Sequence, residues 1–169
     1  MKNYYTDNLY YTTTAFAREI SSIAENAFMD LGLTPSDAFL IMVVNEKPNV
    51  QPTEISEKIL LAPSTITRMI EKLEKRSIVT RTQEGKYTYV AVTTKGKDLY
   101  TNILATWDGI HEVFIRKLET QGLKDLVLQT GTAAGRLKKW GYGIRDYEIR
   151  DCEIRGCEIR DYEIRDYGK

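Results

Sequence analysis

Residues 63–76 read PSTITRMIEKLEKR, and this stretch decides the fold. Pro63 suits the first position of a helix, because the N–H that proline lacks would have no partner there. At about 3.6 residues per turn, the aliphatic side chains fall on one face and the hydroxyl and cationic side chains on the other. The aliphatic face carries Ile66, Met69, Ile70 and Leu73, and the polar face carries Ser64, Thr67, Arg68, Lys72 and Lys75. The stretch therefore predicts an amphipathic helix.

Two interpretations of the polar face are open at this point. Most amphipathic surface helices simply present such a face to solvent. A helix that enters the major groove of DNA shows the same division, because short donors in its first turn reach base edges. Arginine then reads guanine or holds a phosphate, and lysine further along meets the backbone. The neighbouring segments decide between the two interpretations.

A short helix is predicted before this stretch, over Thr53–Leu60, and a tight turn separates the two helices. After it, Ile78–Thr82 and Tyr87–Thr93 are rich in β-branched and aromatic residues, which predicts two strands. Glu84-Gly85-Lys86 between them predicts the turn of a hairpin. Helix, turn, helix and a hairpin with a basic tip is the order of a winged helix-turn-helix, in which the wing lies along the minor groove or the phosphates. A hairpin that only packs beside the core is the alternative.

The distribution of charge supports contact with DNA. The chain has 24 basic and 24 acidic residues, so its formal net charge is zero. Residues 53–97, however, contain nine Lys and Arg residues and five acidic ones, a local excess of four positive charges. A local basic face matters more for a nucleic-acid partner than the total charge.

Further helices are predicted on both sides of this unit. Apolar residues recur at helical spacing over Asp7–Leu31, and Gly32 is expected to end that helix. Thr34, Pro35 and Asp37 are typical of a helix start, and this helix should end near Lys47-Pro48.

After the hairpin, two more helices are predicted over Lys97–Leu118 and Leu123–Trp140, with Gly122 as the break between them. The longer of the two has a wider apolar face than one small domain can cover, which indicates a homodimer.

Several classes of function are not supported. No run of about 18 apolar residues and no apolar N-terminal stretch is present, so we expect a cytoplasmic protein without a membrane partner. The two cysteines, Cys152 and Cys157, lie in a pentapeptide-repeat tail, and His111 is the one histidine. No metal-ligand set, nucleotide motif or catalytic group set is recognisable, so we expect neither an enzyme nor a cofactor. The tail, IRDYE in near-copies, buries no consistent face and is expected to have no function.

Residues 33–96 resemble the MarR family of bacterial regulators. The resemblance is carried by LGLTPSDAFLI, PTEISEKILLAPSTITRMIEKLEKRSIVTR and YVAVTTKG. It implies a mainly α fold with a small β-hairpin wing, and a dimer in which the first, fifth and sixth helices interlock. It also implies two recognition helices on a pseudo-palindromic operator, and a repressor released by a small phenolic or lipophilic ligand. The wing departs from the family pattern, because Lys86 stands where an arginine commonly enters the minor groove, and lysine lacks the planar fork.

Four divisions of the chain follow: an N-terminal dimerisation helix (1–34), a winged helix-turn-helix lobe (35–96), C-terminal dimerisation helices (97–140) and the tail (141–169). The alternative to a regulator is a winged-helix module for protein contacts without a DNA role. The candidate DNA-binding residues are Ser64, Thr65, Thr67, Arg68, Lys72, Lys75, Arg76, Arg81 and Lys86. The candidate ligand-pocket residues are Tyr11, Phe16, Phe39, Trp107 and His111, for which simple packing is the alternative role.

Overall fold

A computed structural model describes residues 8–139, and within them six α-helices accompany one antiparallel hairpin. The helices are α1 (Leu9–Phe28), α2 (Pro35–Glu46), α3 (Pro52–Ile59), α4 (Pro63–Lys75), α5 (Thr94–Leu118) and α6 (Thr120–Lys139). The strands are β1 (Val79–Glu84) and β2 (Tyr87–Val92). The predicted mainly α fold with a hairpin wing is confirmed. The predictions for Asp7, Trp140 and the tail over 141–169 lie outside the described residues.

The beginning of α2 shows why the helices start where they do. The Thr34 side chain accepts the N–H of Asp37 at 3.1 Å, and the Asp37 carboxylate accepts the N–H of Thr34 at 2.9 Å. This reciprocal pair is a capping box, which satisfies two backbone donors that the first turn leaves without partners. Pro35 occupies the first turn, as predicted. Before it, Gly32 adopts a left-handed φ of 61° after a 3₁₀ turn over Met29–Leu31 and so ends the first helical segment.

The hydrophobic core joins the helices to the base of the hairpin. Its most buried members come from α1, α2, α3, α4, the strands and α5, namely Phe28, Leu40, Ile41, Ile55, Ile66, Ile70, Leu73, Ile78, Val79, Val90 and Ile103. Val50, which precedes α3, pairs with Val90 of β2 through two backbone hydrogen bonds. The hairpin is therefore anchored to the α2–α3 connection as well as to α4.

The hairpin is closed by a two-residue turn. Its register runs from Val79 opposite Val92 to Glu84 opposite Tyr87, which leaves Gly85 and Lys86 as the turn. Gly85 has a φ of 59°, a conformation that glycine adopts without steric cost. The outer half of the hairpin is exposed, so the wing projects from the core as predicted.

The long helix α5 begins three residues before the predicted start at Lys97. Thr93 acts as its cap: its Oγ1 accepts the N–H of Gly96 at 3.1 Å, and its carbonyl accepts the N–H of Lys97 at 3.0 Å. The Thr93 N–H in turn donates to the carbonyl of Ile78 at 3.0 Å. The segment expected to lead into the helix is thus its first turn, and α5 starts within the predicted 35–96 lobe.

The prediction that Gly122 separates the last two helices is wrong. The break lies at Glu119, which has a φ of 61°, and Glu119 accepts the N–H of Leu123 as α6 begins. Gly122 lies in the first turn of α6, where backbone N–H groups lack intrahelical partners and a glycine disrupts little. The chain divides into two compact units after Lys117, and α6 belongs to the second. Between residues 121 and 137 every side chain of α6 is at least partly exposed.

Among the helices between residues 8 and 139, none alone is long and apolar enough to span a membrane. The bent pair Leu9–Leu31 and Pro35–Glu46 meets the length and composition requirements only when its two members are taken together.

Candidate nucleic-acid interface

The predicted division of α4 into two faces is present in the structure. Ile66, Ile70 and Leu73 are buried in the core, and Met69 is half-buried. The polar side chains of the same helix are exposed, namely Ser64, Thr65, Thr67, Arg68, Glu71, Lys72 and Lys75. Burial of the aliphatic face fixes the rotation of the helix about its axis, so the polar face is presented outward as one surface. We call this surface the α4 outer face.

Two cations of the α4 outer face carry no ion pair with any side chain between residues 8 and 139. They are Arg68 and Lys75. Thr67 donates its hydroxyl to the carbonyl of Pro63 at 3.0 Å, which leaves its lone pairs directed outward as acceptors. Ala62 supplies no side-chain cap to the helix, in line with its weak capping chemistry.

Lys72 is held by a buried carboxylate. Its Nζ lies 2.6 Å from Oδ2 of Asp37, whose side chain is 1% exposed, whereas Lys72 is 48% exposed. Asp37 also belongs to the capping box at the start of α2. The ion pair therefore connects the α4 outer face to the first turn of α2.

Arg76 has a structural function that the sequence did not predict. Its guanidinium donates to the carbonyl of Gly32 at 2.6 Å and to that of Leu31 at 3.3 Å. The carbonyl of Arg76 accepts the Lys95 Nζ at 2.9 Å. Arg76 follows the last residue of α4, so these bonds join the end of α4 to the α1–α2 connection and to the start of α5.

Arg81 is also committed within the protein. Its Nε and Nη2 donate to Oε2 of Glu74 at 2.9 and 2.5 Å, which ties β1 to the last turn of α4. The hydrogen bond from Arg81 holds the pKa of Glu74 below its ordinary value, and the same bond raises the pKa of Arg81. Both groups thus stay charged near neutral pH, and the pair holds the hairpin beside the last turn of α4.

At the tip of the wing, Lys86 is exposed and its Nζ lies 5.3 Å from the centre of the Tyr87 ring. A cation over an aromatic face is weakly held. Lys86 thus keeps its charge available at the tip, as predicted, while Glu84 before the turn is exposed as well.

An open cleft of about 740 Å³ lies beside the α4 outer face. Its apolar wall comprises Ile20, Ala24, Pro35, Phe39, Leu61, Met69, Trp107 and Phe114, and its charged groups are Glu25, Asp37, Arg68 and Lys72. The Trp107 ring stacks on Phe39 at 4.5 Å and meets the edge of Phe28 at 4.9 Å. Its indole Nε1 is buried without a hydrogen-bond partner. Of the predicted pocket residues, Phe39 and Trp107 line the cleft.

The other three predicted pocket residues do not line this cleft. Tyr11 and His111 are exposed, and Phe16 is half-buried. Aromatic character alone selected them, and it does not reveal which turn of a long helix faces α2 and α4. Several residues that the sequence missed also line the cleft, among them Met69 and Phe114, which periodicity places on apolar faces without indicating a cavity.

Comparison with known proteins agrees with this geometry. The model of the MarR family matches residues 33–85, which span α2, α3, α4 and β1. The transcriptional regulator SarZ of Staphylococcus epidermidis is 27% identical over 112 residues, covering 63% of this chain and 75% of SarZ. Residues 33–85 of the chain are therefore similar to the MarR family. The match includes the α4 outer face, and it ends at the turn of the wing.

Solved structures share the fold of this chain. The repressor CouR bound to a 23-mer DNA duplex aligns with a TM-score of 0.68 at 17% identity, over 79% of this chain and 97% of CouR. CouR from Rhodococcus jostii bound to p-coumaroyl-CoA aligns with a TM-score of 0.67 at 18% identity, over 79% and 96% of the two chains. These similarities cover more of the chain than the family model does.

Proposed function

We propose that this chain is a cytoplasmic, dimeric transcriptional repressor that binds duplex DNA and is released by a small ligand. The observation that carries the proposal is the α4 outer face, on which hydroxyl and cationic side chains outnumber one acidic residue, Glu71, and are held outward by a buried aliphatic face. The similarity of residues 33–85 to the MarR family supports the same function, and no enzymatic role is proposed.

The residues proposed to contact DNA are a subset of those predicted. Ser64, Thr65, Thr67 and Arg68 lie in the first two turns of α4, from which side chains reach base edges in the major groove. Lys75 and, at the wing tip, Lys86 supply charge for phosphates. Arg76 and Arg81 are left out, because their guanidinium groups bind carbonyls and Glu74 within the protein.

Dimerisation is supported by apolar side chains that a single chain leaves exposed. On α6 these are Val127, Leu128 and Leu137, and on α1 they are Leu9, Tyr10 and Tyr11. A symmetric pair would present two α4 helices to DNA, and half-sites about one helical turn, roughly 34 Å, apart would follow.

Ligand control is supported by the position of the cleft. Its wall contains stacked rings suited to a phenolic or lipophilic molecule. Arg68 belongs both to this wall and to the α4 outer face. A bound ligand therefore touches the surface that is proposed to read DNA. CouR, a relative in fold, was solved with p-coumaroyl-CoA in one structure and with DNA in another.

The experiment that tests the function is selection of bound duplexes from a random pool at two salt concentrations. We expect enrichment of an inverted repeat with half-sites about one helical turn apart. Weak binding without enrichment, lost at physiological salt, would favour the protein-contact module instead. Adding candidate phenolic ligands to the enriched duplex then tests release.

Replacing Lys86 by alanine should weaken binding to all DNA sequences alike. Loss of one phosphate contact per protomer should reduce the slope of log affinity against log salt by about 0.9 per protomer. Fluorescence anisotropy with operator and scrambled duplexes measures both effects. Glu84→Gln is the matched control at the other side of the turn, and it should strengthen binding to both duplexes. A loss confined to one base-pair position would show that Lys86 reads sequence.

A further inference from the structure

Lys72 lies on the α4 outer face between two cations that are proposed to bind DNA, yet its surroundings differ from theirs. Arg68 and Lys75 have no ion pair among residues 8–139, whereas the Lys72 Nζ is 2.6 Å from Asp37 Oδ2. Position along the helix groups these three residues together. Lys72 differs from Arg68 and Lys75 because it forms an ion pair with the carboxylate of Asp37 in α2.

Asp37 is buried, so loss of its ion pair with Lys72 would be unfavourable. Its side chain is 1% exposed, and its Oδ2 accepts the backbone N–H of Thr34 at 2.9 Å as part of the capping box. The cap holds the carboxylate in one position. If Lys72 moved to a DNA phosphate, it would leave a buried carboxylate without a counter-ion, which is strongly unfavourable. A DNA phosphate must therefore compete with the buried, desolvated carboxylate of Asp37 for the ammonium group of Lys72.

We propose that Asp37 withholds Lys72 from DNA, so that Lys72 positions α4 against α2 and neutralises no phosphate. Asp37 is then a positioning residue that limits how many phosphates the recognition helix contacts. This inference rests on the proposed DNA-binding function. It replaces the sequence-based prediction that Lys72 contacts DNA with a role inside the protein.

The test is the salt dependence of DNA binding, because the slope counts the phosphates that basic side chains neutralise. Asp37→Asn keeps the shape of the side chain and an oxygen that can accept the Thr34 N–H, and it removes the charge that holds Lys72. We expect its slope to become steeper by about 0.9 per protomer as Lys72 reaches a phosphate. Lys72→Met should leave the slope unchanged, whereas the matched control Lys75→Met should make it shallower by about 0.9 per protomer.

The double variant Asp37→Asn/Lys72→Met completes the cycle, and its slope should return to that of the unaltered chain. If Asp37→Asn and the double variant have the same steeper slope, the change arises from the lost acidic charge alone and the proposal is overturned. It is also overturned if Lys72→Met and Lys75→Met lower the slope equally. Should Lys72→Met fail to fold, Asp37→Asn and the double variant still decide the question, because neither contains a buried carboxylate without a partner. Absence of any salt-dependent DNA binding by the unaltered chain overturns the proposed function itself, which is a distinct result.

Discussion

Replacing Gly96 by alanine should lower the free energy of unfolding by about 3 kcal/mol, near the upper end of the usual cost of overpacking. A Cβ at this position would lie 2.3 Å from the carbonyl oxygen of Ile78 and 2.4 Å from Cγ2 of Val92. The Ile78 oxygen is a backbone atom that accepts the Thr93 N–H, so it cannot rotate away as a side chain could. Relief requires the start of α5 to move from the base of the hairpin.

Urea unfolding at one fixed protein concentration measures this change, since the stability of a dimer depends on concentration. Gly109→Ala is the matched control within the same helix, because a Cβ there would meet no atom within 4 Å among residues 8–139 outside the adjoining turns of α5. Without a clash, alanine in a helix should stabilise by about 0.5–1 kcal/mol. Equal effects of the two substitutions would show that the contact with Ile78 does not determine the outcome at Gly96.

Replacing Arg68 by alanine should weaken binding to the selected operator by about 1–3 kcal/mol, which is roughly a 5- to 150-fold loss. The expected reason is the loss of a bidentate hydrogen bond from the guanidinium to a guanine. Arg68 is the one arginine within α4, so no other residue of the helix can replace this contact. Arg68→Lys is the matched control, because it keeps the charge and lacks the planar fork. It should retain binding to scrambled DNA and still lose most of the preference for the operator.

Anisotropy titrations with operator and scrambled duplexes separate these effects for both variants. An unchanged operator affinity in Arg68→Ala would rule out α4 as the helix that reads bases. Loss of stability is not expected from either change, since Arg68 makes no ion pair with the residues between 8 and 139.

The start of α2 and the two faces of α4 could be predicted from the sequence because their causes are local. Thr34, Pro35 and Asp37 lie within four positions of one another, and their capping chemistry acts over that distance. The faces of α4 follow from helical geometry alone. The order of helix, turn, helix and hairpin also followed from the local patterns, and the resemblance of residues 33–96 to a known family agreed with it.

The hydrogen bonds and ion pairs that the basic side chains form within the protein could not be predicted, because their partners are remote in sequence. Arg76 binds the carbonyl of Gly32 across 44 positions, and Lys72 binds Asp37 across 35 positions. Neither pairing produces a recognisable spacing in the sequence. A basic residue that stabilises the fold therefore cannot be distinguished, from sequence alone, from one that is free to contact a phosphate. The sequence indicates Asp37 only as part of a helix start, and its ion pair with Lys72 becomes visible only when α2 and α4 are packed together.

The position of the last helix break could not be predicted for a different reason. Gly122 is the residue that composition favours as a breaker, but the chain turns at Glu119 through a left-handed φ of 61°. A single backbone angle on a residue that normally avoids it carries no composition signal.

A single residue, Thr93, separates the end of β2 from the first residue of α5. Its backbone N–H and its hydroxyl both contact the carbonyl of Ile78, and Gly96 packs against the same atom. The end of the hairpin and the first turn of α5 are therefore joined through one backbone atom, the carbonyl oxygen of Ile78. In the proposed dimer, a change in the angle between the two α5 helices would therefore also change the distance between the two wing tips.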